Sequence, residues 1–162
     1  MNDYVLLKSL ALISLLLLSI AASAAPKKKN RTYSPLLISL LESSGSVAPE
    51  YRYALLVTLE RTNKSHFIYR KEIKAGIQIS NNKKRISEKK FNQITSELLA
   101  LGADKFKKEE LPQEKIMGVS YNEFSFKREK NESHFYYLNK DLEKKNFKIK
   151  KEIIQIMKRI KT

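Results

Sequence analysis

The 162-residue chain has no cysteine and no tryptophan, and only four glycines and four prolines. Without a thiol there is neither a disulfide nor a thiolate metal site, so the fold must hold on apolar packing and hydrogen bonds alone. No phosphate-cradling glycine loop, Gly-x-Ser-x-Gly elbow or zinc-helix motif is present. Acidic charge is also scarce, with 17 Asp and Glu against 32 Lys and Arg and a net charge of +15. Such an excess draws a domain toward polyanions or acidic protein faces, with an attraction that falls as salt rises.

One long apolar run is present, and it comes first. "MNDYVLLKSLALISLLLLSIAASAAP" has a weakly positive start at Lys8, an apolar stretch from Leu10 to Ile20, and small residues at Ala22-Ser23-Ala24. These are the three parts of a secretory signal, with cleavage expected after Ala24. A retained anchor is the alternative, but the uncharged run from Ser9 to Ala25 is shorter than the roughly 20 residues that span a bilayer. The membrane is therefore expected as a partner only through this segment. Cysteine-free export points to the periplasm or the medium of a bacterium. Three Asn-x-Ser/Thr sequons, at Asn30, Asn63 and Asn131, point the other way, but they arise easily in a chain rich in Asn, Lys and Ser. Asp3 and Lys8 are the charged side chains lost with the signal, so the mature chain stays at +15.

After a flexible basic arm over 25–34 ("APKKKNRTYS"), residues 35–162 have the length of one domain. "PLLISLL" (Pro35 to Leu41) reads as a buried strand, and "ESSGSVAPE" (Glu42 to Glu50) as a loop. From Tyr51 to Glu60 apolar residues alternate, the pattern of a strand with one face on a core. "RTNK" turns the chain, and "SHFIYRK" (Ser65 to Lys71) returns as the second strand of a hairpin. "NNKKRI" then reads as a polar, basic connection. Ser87 is placed to cap a helix over Glu88 to Leu101, with Phe91, Ile94, Leu98 and Leu101 on one face and Gly102 as its stop. A second hairpin, Val119 to Arg128 and Ser133 to Asn139, follows a polar connection. The last helix, about Phe147 to Ile160, carries Ile149, Ile153, Ile156 and Ile160 on one seam.

"NKSHF" (Asn63 to Phe67) and "NESHF" (Asn131 to Phe135) share a core that contains both histidines of the chain. Each is followed by a strand, then "EKKF" (Glu88 to Phe91) or "EKKNF" (Glu143 to Phe147), then a helix. The expected architecture is an α+β domain: a mostly antiparallel sheet of about five strands with two helices on one face, arranged as a ββα-ββα pseudo-repeat preceded by one strand. In this reading Asn supplies the turn and the two histidines mark equivalent strand starts.

The chemistry is sparse. A metal site needs three or four converging ligands, whereas the histidines have no His-x-His or His-x-x-x-His spacing, so no metal or other cofactor is expected. Ser43, Ser44 and Ser46 lack an accompanying base. Glu109 and Glu110 sit among lysines, which would lower their pKa rather than poise them as acids. Aromatic strands in a basic chain are a feature of RNA-recognition sheets, but the Lys/Arg-Gly-Phe/Tyr signature is missing. Basic runs at Lys83-Lys84-Arg85 and at Lys144, Lys145 and Lys148 are ordinarily solvated faces. If both helices pack on one side of the sheet, these clusters are placed to merge into one polyanion-binding patch.

The loop Ser44-Gly45-Ser46-Val47-Ala48 resembles the Ser-Gly-Gly-hydrophobic-Ala-Gly loop of small exported domains of the emfourin type. Ser46 stands in place of the second glycine and Pro49 of the last. The resemblance spans about Leu36 to Ile160, and it implies a non-catalytic domain whose Ser44, Gly45, Ser46 and Val47 engage a protein, as in the blocking of a metallopeptidase cleft. The resulting expectation is an exported, non-enzymatic module for a protein partner, with binding of envelope polyanions or nucleic acid at low salt as the alternative. Intact-mass analysis of the exported protein is expected to find a chain beginning at Ala25; a full-length cytosolic product would overturn the export reading.

Overall fold

The computed structural model describes residues 32–45, 47–111 and 120–162, which belong to one compact unit, Arg31–Thr162. The signal over 1–24, most of the arm, Ser46 and Val119 lie outside the described residues. The chain is α+β: one antiparallel sheet of six strands, in the order β4-β3-β2-β1-β5-β6, with two helices. The strands are β1 (Leu36–Ser43), β2 (Tyr53–Arg61), β3 (His66–Lys74), β4 (Ile77–Ile86), β5 (Asn122–Arg128) and β6 (Asn131–Tyr137). The helices are α1 (Glu88–Ala100) and α2 (Lys148–Arg159). Among the described residues no helix is long and apolar enough to cross a membrane.

Alternation decides which face is buried. Leu36, Ile38 and Leu40 of β1 lie between Leu59 and Val57 of β2 and Phe126 and Phe124 of β5, and all are buried. Ile68 of β3 and Phe135 and Tyr137 of β6 extend the same face outward. Both helices pack onto it. Helix α1 contributes Phe91, Thr95 and Leu98, and its first turn is capped by Ser87, whose side chain accepts from the Lys90 N–H. Helix α2 contributes Ile153, Ile154 and Met157. Ile149, expected on the α2 seam, is instead 52% exposed, because the helix begins at Lys148 and its buried stripe runs through 153, 154 and 157.

Two of the polar side chains on this covered face, Glu42 and Arg70, are tied to α2. Glu42 is buried, with Oε1 accepting from the Tyr137 hydroxyl at 2.5 Å and Oε2 paired with Lys158 Nζ at 2.8 Å. Arg70 donates to the main-chain carbonyls of Lys158 and Ile160, bracing the end of α2, and also pairs with Glu72 at 2.9 Å. That pairing holds the Glu72 carboxyl below its ordinary range. Burial first, and then the Glu42 carboxylate, raise Tyr137 well above the usual tyrosine value and Tyr53 to about 12.

Two expectations are corrected. "NNKKRI" is not a connection but the second half of β4, so four strands precede α1 rather than three. The turn that makes this possible is Ala75-Gly76, with φ of 49° and 73°, between the paired Lys74 and Ile77. Two residues at positive φ match the twist of a tight hairpin. The shared Asn-x-Ser-His-Phe core is also not structurally equivalent. Asn63 precedes β3, and His66 begins it, whereas the second hairpin turns at Glu129-Lys130 and Asn131 already pairs with Arg128, so His134 lies three residues into β6. The end of the stretch read as an arm is held to the sheet. Tyr33 N–H donates to the Asn63 carbonyl, its hydroxyl to Glu88, and its ring meets His66 edge-on at 4.6 Å.

Ala75 occupies a left-handed conformation that costs an L-residue with a β-carbon about 1 kcal/mol. Ala75→Asn creates an Asn-Gly turn and is expected to raise stability by up to that amount in urea denaturation.

Candidate functional site

The two edges of the sheet are treated differently. Along β6 the segment over 107–110 lies beside the strand. Glu109 N–H donates to the His134 carbonyl at 3.1 Å, and Glu109 Oε2 accepts from the Tyr136 N–H at 3.1 Å. Lys108 pairs with Glu132 at 2.9 Å. Lys150 of α2 secures the arrangement: its ammonium is 2.8 Å from Glu109 Oε1 and sits 4.7 Å from the Phe147, 4.8 Å from the Phe135 and 5.8 Å from the Phe106 ring centroids. A lysine held among aromatic faces and a carboxylate is a stable tie when partly desolvated.

At the other edge, β4 bonds to β3 along its length, and among the described residues no further segment bonds to its main chain. An uncovered edge presents unpaired donors and acceptors to any extended chain. Eight of its ten residues are exposed, including Ile77 at 67% and Ile79 at 52%. Ile79 falls at a register shift opposite Glu72 and Ile73. Close by is Tyr51, 72% exposed, in a short 3-10 turn over Pro49–Tyr51, and the two segments are joined by Gly76 N–H donating to the Arg52 carbonyl at 3.4 Å. A β-carbon on Gly76 would stand 3.3 Å from the Pro49 carbonyl oxygen, so glycine suits this approach twice over, by space and by φ.

The pleat divides the basic run of β4. Lys83 and Arg85 pair across from Tyr69 and Phe67 on the sheet face away from the helices, whereas Lys84 pairs across from Ile68 on the helix side. Lys83 Nζ bonds Glu60 at 2.8 Å and lies 4.7 Å above the Phe67 ring. That face also carries Leu37 and Leu41, about 40% exposed in the central strand, with Ser39 and Ser125 hydroxyls bonded at 2.9 Å between them.

Lys144, Lys145 and Lys148 are placed elsewhere. They enter α2 at the end that Lys150 ties to Phe135 of β6, the opposite edge from β4. Lys144 is engaged with Asp141 at 2.6 Å. The expected merger of the two basic clusters does not occur, because α2 starts over the far edge of the sheet.

In the loop read as a partner-binding element, Ser44 N–H donates to the Tyr53 carbonyl at 2.9 Å and Tyr53 N–H donates to Ser44 Oγ at 2.9 Å. Gly45 has φ 74°, and Val47 N–H donates to its carbonyl. Ser46 lies outside the described residues. The loop thus adjoins the Tyr51, Gly76 and Ile77 corner, which sequence reasoning missed. The available signal was Ala-Gly between isoleucines at 73, 77 and 79, overshadowed by the following run of Asn and Lys.

The histidines are on opposite faces. His134, on the face away from the helices, has Nδ1 3.1 Å from the Glu109 carbonyl oxygen and Nε2 3.1 Å from Glu123. His66, on the helix side, is buried between Tyr33 and Phe91, and its Nε2 has no partner among the described residues. Among the described residues no three His, Asp or Glu side chains are grouped to hold a metal. Comparison with family models, with curated proteins and with solved structures found no match to this chain.

Burial, reinforced by Arg61 and Arg85 and opposed by Glu88, lowers His66 below its ordinary 6.5. The folded state therefore binds the proton less well than the unfolded chain. Its stabilising contribution is complete above pH 6.5 and is lost as the pH falls through 6.5 toward the folded value. His66→Phe is expected to flatten the decline of the urea midpoint as the pH falls below 6.5.

Proposed function

We propose that this protein is an exported, non-enzymatic binding module that takes up an extended, acidic segment of a protein partner as an added strand along β4. One observation carries the reading: β6 is covered by residues of its own chain, whereas among the described residues nothing covers β4. Strand addition supplies main-chain hydrogen bonds for affinity and side-chain positions on alternate faces for selection. Here Lys83, Lys84 and Arg85 select acidic residues, and Ile77, Ile79 and Tyr51 supply apolar anchors beside them. The Ser44 to Val47 loop borders the same corner, so an emfourin-like use of that loop and the edge reading engage one partner through neighbouring elements.

Binding of a long polyanion is the second reading, favoured by the charge of +15. The separation of the Lys83 to Arg85 and Lys144 to Lys148 clusters onto opposite edges weighs against it. The two readings respond differently to substitution. Photo-crosslinking from position 81, in cells, is expected to trap one partner protein, with position 132 on β6 silent. Ile79→Lys should weaken that partner's binding at least about tenfold, the loss of one apolar anchor. Unchanged affinity in Ile79→Lys, together with a steep linear fall of log affinity with log salt, would replace the edge reading with the polyanion one.

A further inference from the structure

We propose that the depression between α1 and the adjoining ends of β1, β2 and β5 is an oxyanion site for a phosphoryl group. This inference is independent of β4, which lies beyond β3 at the far edge.

The site follows from strand register. Leu36 of β1 pairs with Arg61 of β2 on one side and with Arg128 of β5 on the other. Cross-strand partners point to the same face, so two arginines flank one leucine on the helix side, about two strand spacings or roughly 10 Å apart at their Cα atoms. Long side chains easily bridge that distance. Above them α1 contributes Asn92, Thr95 and Ser96, and the five polar residues wall a depression of about 220 Å³ with Phe126 in its apolar floor.

Three features distinguish this depression from an ordinary basic surface. Its walls contain no carboxylate. Arg61 is positioned by its Nε donation to the Ser34 carbonyl at 2.8 Å and by the Phe91 ring 5.6 Å away, and among the described residues its terminal nitrogens make no hydrogen bond. The Arg128 side chain is exposed and, among the described residues, makes no ion pair or hydrogen bond. Burial first, and then the Arg128 charge, lower the Arg61 guanidinium from its ordinary value, with Glu88 and Tyr33 pulling the other way. Thr95 is 8% exposed, and among the described residues its Oγ1 has no hydrogen-bond partner. Two like charges beside an unsatisfied hydroxyl form an arrangement that a bound anion relieves.

The chemistry favours a tetrahedral oxyanion over a carboxylate. Guanidinium forks approach from the strand side, and amide and hydroxyl donors approach from the helix side. A phosphoryl group presents three terminal oxygens in different directions, whereas a carboxylate presents two in one plane. Arginine is the residue that matches phosphate with paired donors.

The test is thermal unfolding of the mature chain at constant ionic strength, with inorganic phosphate replacing chloride. The wild-type Tm is expected to rise by about 3 °C once phosphate exceeds the dissociation constant about tenfold. Arg128→Gln should lose the rise. Lys127→Gln removes the same charge from the neighbouring position on the opposite face and should keep it. No rise in the wild type, or an equal rise in Arg128→Gln, overturns the proposal. Vesicles containing phosphatidic acid, compared with phosphatidylcholine alone, separate the sources of the group. Retention that free phosphate competes away and Arg128→Gln abolishes assigns a lipid headgroup; a Tm rise without retention assigns a soluble phosphate compound.

Discussion

Every main-chain N–H and C=O at the rim of a sheet must find a partner, and this requirement organises the molecule more than any side-chain contact. An open sheet of six strands has two rims. One is satisfied internally by the residues around Glu109, which places an acidic side chain where Lys150 can hold it. Among the described residues nothing pairs with the other. The twist at Ala75-Gly76 and the register shift near Ile79 govern how an incoming strand would meet that rim. Its lysines discourage self-association of this edge.

The faces follow a similar division. The helix-covered face holds the apolar core and also Glu42, Arg70, Glu72 and Tyr137, whose polar atoms are used in mutual contacts or in bracing α2. A carboxylate this deeply placed is tolerated because a hydroxyl and an ammonium satisfy both oxygens. Both ends of α2 are thereby secured by charge, at Lys150 near its start and at the carbonyls bonded by Arg70 near its finish. In a chain without disulfides these ties take over part of the positional control that a covalent staple gives.

The fold was legible where periodicity and capping agreed. Leu55, Val57 and Leu59 announce a half-buried strand, and Ser87 ahead of Phe91 and Leu98 announces a helix, all of which the structure places as expected. Strand β4 was not legible because an edge strand exposed on both faces has no apolar alternation to display; its burial pattern is polar almost throughout. The repeated Asn-x-Ser-His-Phe core misled for a related reason. A turn is set by which residues take positive φ, and Glu129 does so in the second hairpin, a role that its residue type does not advertise. Lys83 to Arg85 were recognised as basic, but the pleat that sends Lys84 to the other side becomes visible only with the strand assignment. The Arg61 and Arg128 pair was out of reach of a linear reading, since its members meet only through their common neighbour Leu36.

The first strand of the chain ends up in the middle of the sheet. Strands β1 to β4 form a meander from near neighbours in the sequence, yet Ser39 meets Ser125 across a separation of 86 residues. As the polypeptide is made from its amino end, the Leu36, Ile38 and Leu40 strand waits half-paired until β5 arrives. This apolar seam therefore closes only once β5 is present, and a nascent chain halted before Phe124 presents a sticky template to its neighbours.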